Sequence, residues 1–171
     1  MISKILKLFF IKKEVKKSAM QNLTTPSFKT VQSIGVLLDG DCIIKKEEIT
    51  NGLSKLGFNL SNVEFLVHQN KISKDEINQF VFNINDVNLN GVFIKNEINE
   101  FVNKAFDVLI NYFDDDITIL HWAALQSKAD FKVGFSMYNV NYNHLSISVE
   151  KENYKSFLNE LDRYLKILNK K

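Results

Sequence analysis

Short apolar runs alternate along the chain with stretches in which apolar residues recur at helical spacing, and this alternation predicts strands and helices in turn. The clearest unit runs from Phe106 to Phe135. Val108, Leu109, Ile110, Tyr112 and Phe113 form an apolar run closed by Asp114, Asp115 and Asp116, which suits a strand covered on both faces. A helix is expected next, with Ile117, Leu120, Ala124 and Leu125 as its stripe, Asp116 as N-cap and Lys128 in the last turn. Phe131 to Phe135 resumes a strand pattern, and strand, helix, strand makes a right-handed parallel crossover by default.

The same grammar extends in both directions. Ser33 to Leu38 predicts the first strand, Lys45 to Gly57 a helix stopped by its glycine, and Val63 to Val67 the second strand. Lys71 to Phe80 reads as a short helix, because Ser73 and Glu76 have capping-box spacing. Phe80 to Ile84 reads as a third strand, Asn83 to Gly91 as a loop, Val92 to Ile94 as a brief pairing, and Glu97 to Ala105 as a helix. Leu145 to Val149 alternates as an edge strand with one wet face, and Tyr154 to Leu168 has the sharpest helical stripe. The sum is a three-layer α/β sandwich over 33–171, with a mainly parallel sheet of about five or six strands.

Ahead of it, residues 1–20 place Ile2, Ile5, Leu6, Phe9 and Phe10 at helical spacing among Lys4, Lys7, Lys12, Lys13, Lys16 and Lys17. Lys7 splits the apolar region and no small-residue cleavage site follows, so the segment is expected to stay on the chain as a basic amphipathic helix. Two readings fit it: a helix lying on an anionic membrane, or one docking on its own domain or on a partner. Residues 21–32 hold the sole proline, Pro26, among Thr, Ser and Asn, and read as a linker.

Composition narrows the picture. At 171 residues, with 45% hydrophobic and 25% charged, the chain suits one globular domain. A net charge of +2 argues against nucleic acid, leaving only a basic arm touching RNA as a further alternative. The single cysteine, Cys42, excludes an internal disulfide and fits a reducing, cytoplasmic setting. No apolar run is long enough to span a bilayer, and no glycine-rich phosphate loop is present.

Ligands of open α/β sheets gather at the carboxyl ends of the strands, where Asp39 and Asp41 follow the first strand and Asp114 and Asp115 the central one. The stretch GVLLDGDCII resembles the nucleophile motif of haloacid-dehalogenase-type phosphatases, and the later acid pair resembles their magnesium-binding motif. That resemblance implies Asp39 as nucleophile, Asp41 as general acid and base, and Mg²⁺ held by Asp39, Asp41, Asp114 and Asp115. The chain departs from it at Ile43, where Thr or Val is usual, and in lacking a clear phosphate-binding Ser or Thr and an assignable lysine. Asp, Gly and Asp also make an ordinary turn. His68, His121 and His144 have no metal-ligand spacing, His121 reads as a satisfied, partly buried side chain, and Cys42 beside two carboxylates is a poor nucleophile.

The segments SIGVLLDG, FDVLINYFD and SKADFKVGF, with the basic leader and the final helix, resemble a small uncharacterised family of Bacteroidota proteins, a domain of unknown function. That resemblance implies a bacterial cytoplasmic source and brings no activity. The sequence therefore points to a non-enzymatic binding or interaction module, peripheral to the inner face of a membrane or docked on a protein partner, with no cofactor committed and a Mg²⁺-dependent phosphohydrolase as the alternative. The surface expected to do the binding is Lys4, Lys7, Phe9, Phe10, Lys12, Lys13, Lys16 and Lys17.

Overall fold

A computed structural model describes residues 2–18, 25–42, 44, 46–70, 81–113, 117–136, 142–168 and 170. The helix expected over Lys71 to Phe80 lies outside these residues, as do Asp114, Asp115 and Asp116.

Among the described residues six strands form one parallel sheet: β1 (Ile34–Asp39), β2 (Val63–His68), β3 (Val81–Phe82), β4 (Val108–Tyr112), β5 (Phe131–Phe135) and β6 (Leu145–Ile147), in the order β3-β2-β1-β4-β5-β6. Every pairing is parallel. β1, β4 and β5 are buried along their whole length, which is why IGVLLD and VLINY read as largely apolar runs, whereas FKVGF places Lys132 and Gly134 between its apolar residues. Successive side chains still go to opposite layers. Leu37 and Leu109 face one core, and Val36, Leu38, Val108 and Ile110 face the other.

Helices α2 (Lys46–Lys55) and α5 (Tyr154–Ile167) cover the second of these faces through Ile49, Leu53, Phe157, Leu158, Leu161 and Leu165. α2 ends where Gly57 adopts φ +84°, letting the Phe58 N–H donate back to the Leu53 carbonyl. Asn153 caps α5 by accepting from the Ser156 N–H. On the first face lie α1 (Ile2–Ser18), α3 (Asn96–Asn103) and α4 (Thr118–Gln126).

α4 departs from the expected single stripe. Every residue from Thr118 to Ala124 is buried, because the sheet lies on one side of the helix and α1 packs on the other. Its N-cap position is Ile117, which makes no side-chain cap bond, and the helix closes at Ser127, so Lys128 falls beyond it.

α1 itself departs in a way that matters for function. The apolar spacing suggested one stripe at Ile2, Ile5, Leu6, Phe9 and Phe10. The helix instead docks through Leu8, Ile11 and Val15, with Phe10 at the border of that contact, and Ile11 is fully buried. Apolar residues on both sides of one helix hide each stripe in the other, so spacing alone could not select the inner one.

Part of the stretch read as a linker is tied down. Phe28 lies in the α2/α5 core, and the Asp130 carboxylate accepts from the Ser27 hydroxyl and the Phe28 N–H. Burial opposes the charge on Asp130, but these hydrogen bonds outweigh it and hold the carboxyl below its usual range. Asp107 likewise accepts from the N–H groups of Gln32 and Ser33, both at 2.8 Å.

Candidate functional site

The carboxyl edge of the sheet was the first place to expect chemistry, since β1 and β4 are neighbours there and the strand order runs outward from them on both sides. Asp39 ends β1 and is buried. Its Oδ1 accepts the Asp41 N–H at 3.1 Å, the local bond that makes Asp-Gly-Asp a tight turn. Gly40 is required by packing. Its N–H donates to the His68 carbonyl at 2.8 Å, and a Cβ there would stand 2.8 Å from that same oxygen. Asp41 reaches outward, where its Oδ2 accepts from Asn70 Nδ2 at 3.0 Å.

The parallel register sets Asp39 beside His68, and His68 Nδ1 stands 3.9 Å from Asp39 Oδ1, with no hydrogen-bond partner among the described residues. Sequence spacing gave no sign of this pairing, because it depends on strand neighbours 29 residues apart. The other histidines serve the fold. His121 Nδ1 shares a hydrogen bond with the Tyr142 hydroxyl under the edge of Phe113, and His144 Nδ1 accepts the Lys132 N–H at 2.9 Å. Cys42 is buried and forms no disulfide. Asp114 and Asp115, the other half of the expected Mg²⁺ set, lie outside the described residues. Among the described residues no group of three or more His, Cys, Asp or Glu could hold a metal ion.

A second region has a different character. α1 spans 17 residues, about 25 Å at 1.5 Å per residue, and is held against α4 along its inner side. Its outer side is divided along its length. In the first half Ile5, Leu6 and Phe9 are 62%, 53% and 71% exposed. One and two turns further on, the same stripe continues as Lys12, Lys13 and Lys16, with Lys17 beside them, all exposed. Lys4 is exposed as well, whereas Lys7 and Phe10 are half-buried, Phe10 packing over Gly91. Six lysines against one glutamate make α1 strongly basic, and since the whole chain is only +2 the remainder is net acidic.

Beside α1 the chain between Val87 and Ile94 forms a tight loop. The sequence predicts a loop as far as Gly91 and a brief pairing over Val92 to Ile94, and Phe93 does pair, with Val87, but the outward display of the apolar residues was not foreseen. Trp122 Nε1–H donates to the Gly91 carbonyl at 2.7 Å, fastening this loop to α4. The overlooked signal is compositional: VNLNGVFI carries large apolar residues and no charge between asparagines.

Among the described residues no helix is long and apolar enough to cross a membrane. A family model described as a family of unknown function (DUF6913) matches residues 7–168. No curated protein and no solved structure matches the chain.

Proposed function

The chain belongs to this family of unknown function, a membership that assigns no activity, and we propose that it is a non-catalytic docking module that seats on the anionic inner face of a membrane through α1. The observation that carries the proposal is the outer side of α1: three large apolar side chains held in water at one end, four lysines at the other, on a helix whose inner side is anchored in the core.

Physically, each half of that surface has a place in a lipid interface. Ile5, Leu6 and Phe9 gain by leaving water for the boundary between headgroups and acyl chains. Lys12, Lys13, Lys16 and Lys17 then lie at phosphate level, where each lysine near an anionic surface contributes about 1 kcal/mol. The net acidic remainder of the chain is repelled by the same surface, so charge orients the domain with α1 toward the lipid. Because the inner stripe of α1 covers α4, the helix stays docked while it binds, and little ordering entropy is lost on contact.

The test is co-sedimentation of the intact chain with vesicles of phosphatidylcholine alone and with an added phosphatidylglycerol fraction. Binding is expected only to the anionic vesicles, weakening as salt rises. Equal binding to both, or binding that ignores replacement of the four lysines, overturns the proposal.

A further inference from the structure

Six of the nine large apolar side chains exposed among the described residues fall in just two segments, and those segments touch. Three are Ile5, Leu6 and Phe9. The other three are Leu89, Val92 and Ile94, at 56%, 55% and 61% exposure. The remaining three, Leu60, Ile167 and Leu168, belong to other elements.

The loop that carries the second group is built to hold it out. Asn88 Oδ1 accepts the N–H groups of Asn90 and Val92, and the Asn88 N–H donates to the Val92 carbonyl at 2.9 Å. Val87 and Phe93 pair across the loop as an isolated antiparallel bridge, and both are buried. The chain therefore turns alternate residues inward and leaves Val92 and Ile94 outside. Gly91 sits at φ +79° at the tip. A Cβ there would come within 2.8 Å of the Phe10 ring and 3.1 Å of Trp122, so the loop is wedged between α1 and α4. Its base is closed by the Asn83 and Asp86 capping box, the Ile94 N–H donating to the Asp86 carbonyl, and the Lys95 to Asp86 ion pair at 3.0 Å.

A loop this well bonded does not expose three large apolar residues by fraying, and contiguous exposed apolar surface marks an interaction site. We infer that this loop is a second membrane-inserting element, fixed beside α1, so that helix and loop enter the same bilayer as one preformed surface. The inference rests on the membrane reading of α1. Two features of the loop select lipid as the occupant. From Val87 to Ile94 it has no charged side chain to desolvate, and it joins α1 at Phe10, the residue next to Phe9 and one turn from Leu6. The lysines of α1 supply the attraction to phosphate for both elements.

The experiment places an environment-sensitive nitrobenzoxadiazole dye on a cysteine introduced at position 9, 89 or 92, with a control at Leu60, in a Cys42→Ala chain shown to keep its thermal midpoint. On addition of anionic vesicles, dyes at 9, 89 and 92 are expected to shift to the blue and the control is not. A Leu89→Ser/Val92→Ser/Ile94→Ser chain is expected to keep its thermal midpoint and to lose about tenfold or more in vesicle partition. A shift at 9 without one at 89 and 92 overturns the composite surface and leaves the reading of α1 standing. No shift anywhere overturns both. A self-associated species that the loop substitutions convert to monomer, with no response to vesicles, assigns the surface to a second copy of the chain and overturns the inference.

Discussion

The carboxyl edge of the sheet and the outer side of α1 teach opposite lessons about reading function from residue type. At the edge, Asp39 and Asp41 are reagents by residue type, and each carboxylate also accepts a hydrogen bond within the protein, one from the Asp41 N–H and the other from Asn70 Nδ2. On α1, Ile5, Leu6 and Phe9 look like core residues, yet they stand in water. Polar groups that have found partners inside the protein have less left to offer a ligand, whereas apolar groups left without cover still have their transfer free energy to gain.

The comparison can be attacked first where the effect is largest. Replacing Lys12, Lys13, Lys16 and Lys17 by Gln should reduce partition onto anionic vesicles by two to three orders of magnitude, at about 1 kcal/mol per lysine, without moving the thermal midpoint. Retained binding in a sedimentation assay would remove electrostatics from the account. Within α1 itself the two sides can be set against each other. Ile11→Ala should cost about 2 to 5 kcal/mol in urea unfolding because it opens a cavity in the core. Phe9→Ser should stay within about 0.5 kcal/mol, since that side chain is 71% exposed. Equal losses would mean that the outer side also packs.

Lys132 sharpens the contrast from inside the fold. Its Nζ donates to the Ala124 carbonyl at 2.8 Å near the end of α4, and burial pushes the ammonium down to about 8 from an ordinary 10.5. Between those values the unfolded chain binds more protons than the folded one, so this residue makes stability rise with pH across that window. Below about 8 its contribution is flat and unfavourable. Lys132→Met should remove the rise, and denaturant titrations on either side of the window would detect it. The smallest effect is expected at the edge. Asp39→Asn keeps an acceptor for the Asp41 N–H and should leave vesicle partition unchanged, with stability altered by less than about 1 kcal/mol. A loss of lipid binding in that variant would join the two regions that the account keeps apart.

Much of the sheet was legible because its strands are covered on both faces: IGVLLD and VLINY are apolar enough to be read without knowing their neighbours, and FKVGF still shows three large apolar residues around Lys132 and Gly134. Gly57 ended its helix for a local reason that sequence states directly. Features that depend on a distant partner were not legible. The docking stripe Leu8, Ile11 and Val15 was masked by apolar residues on the other side of α1, and the all-round burial of α4 follows only once α1 is placed on it. The closeness of His68 to Asp39 comes from strand order, which spacing does not encode. For the 87–94 loop the sequence predicts a loop as far as Gly91 and a brief pairing over Val92 to Ile94, and only the bonded backbone shows that Leu89, Val92 and Ile94 are held apart from the core.

The most direct test of the central claim compares equilibrium partition of the intact chain onto anionic vesicles with that of an Ile5→Ser/Leu6→Ser/Phe9→Ser chain. The intact chain is expected to bind, and the triple variant, equally stable to heat, to lose about a hundredfold or more. Equal partition of the two chains, or an intact chain that stays in the supernatant, would contradict it.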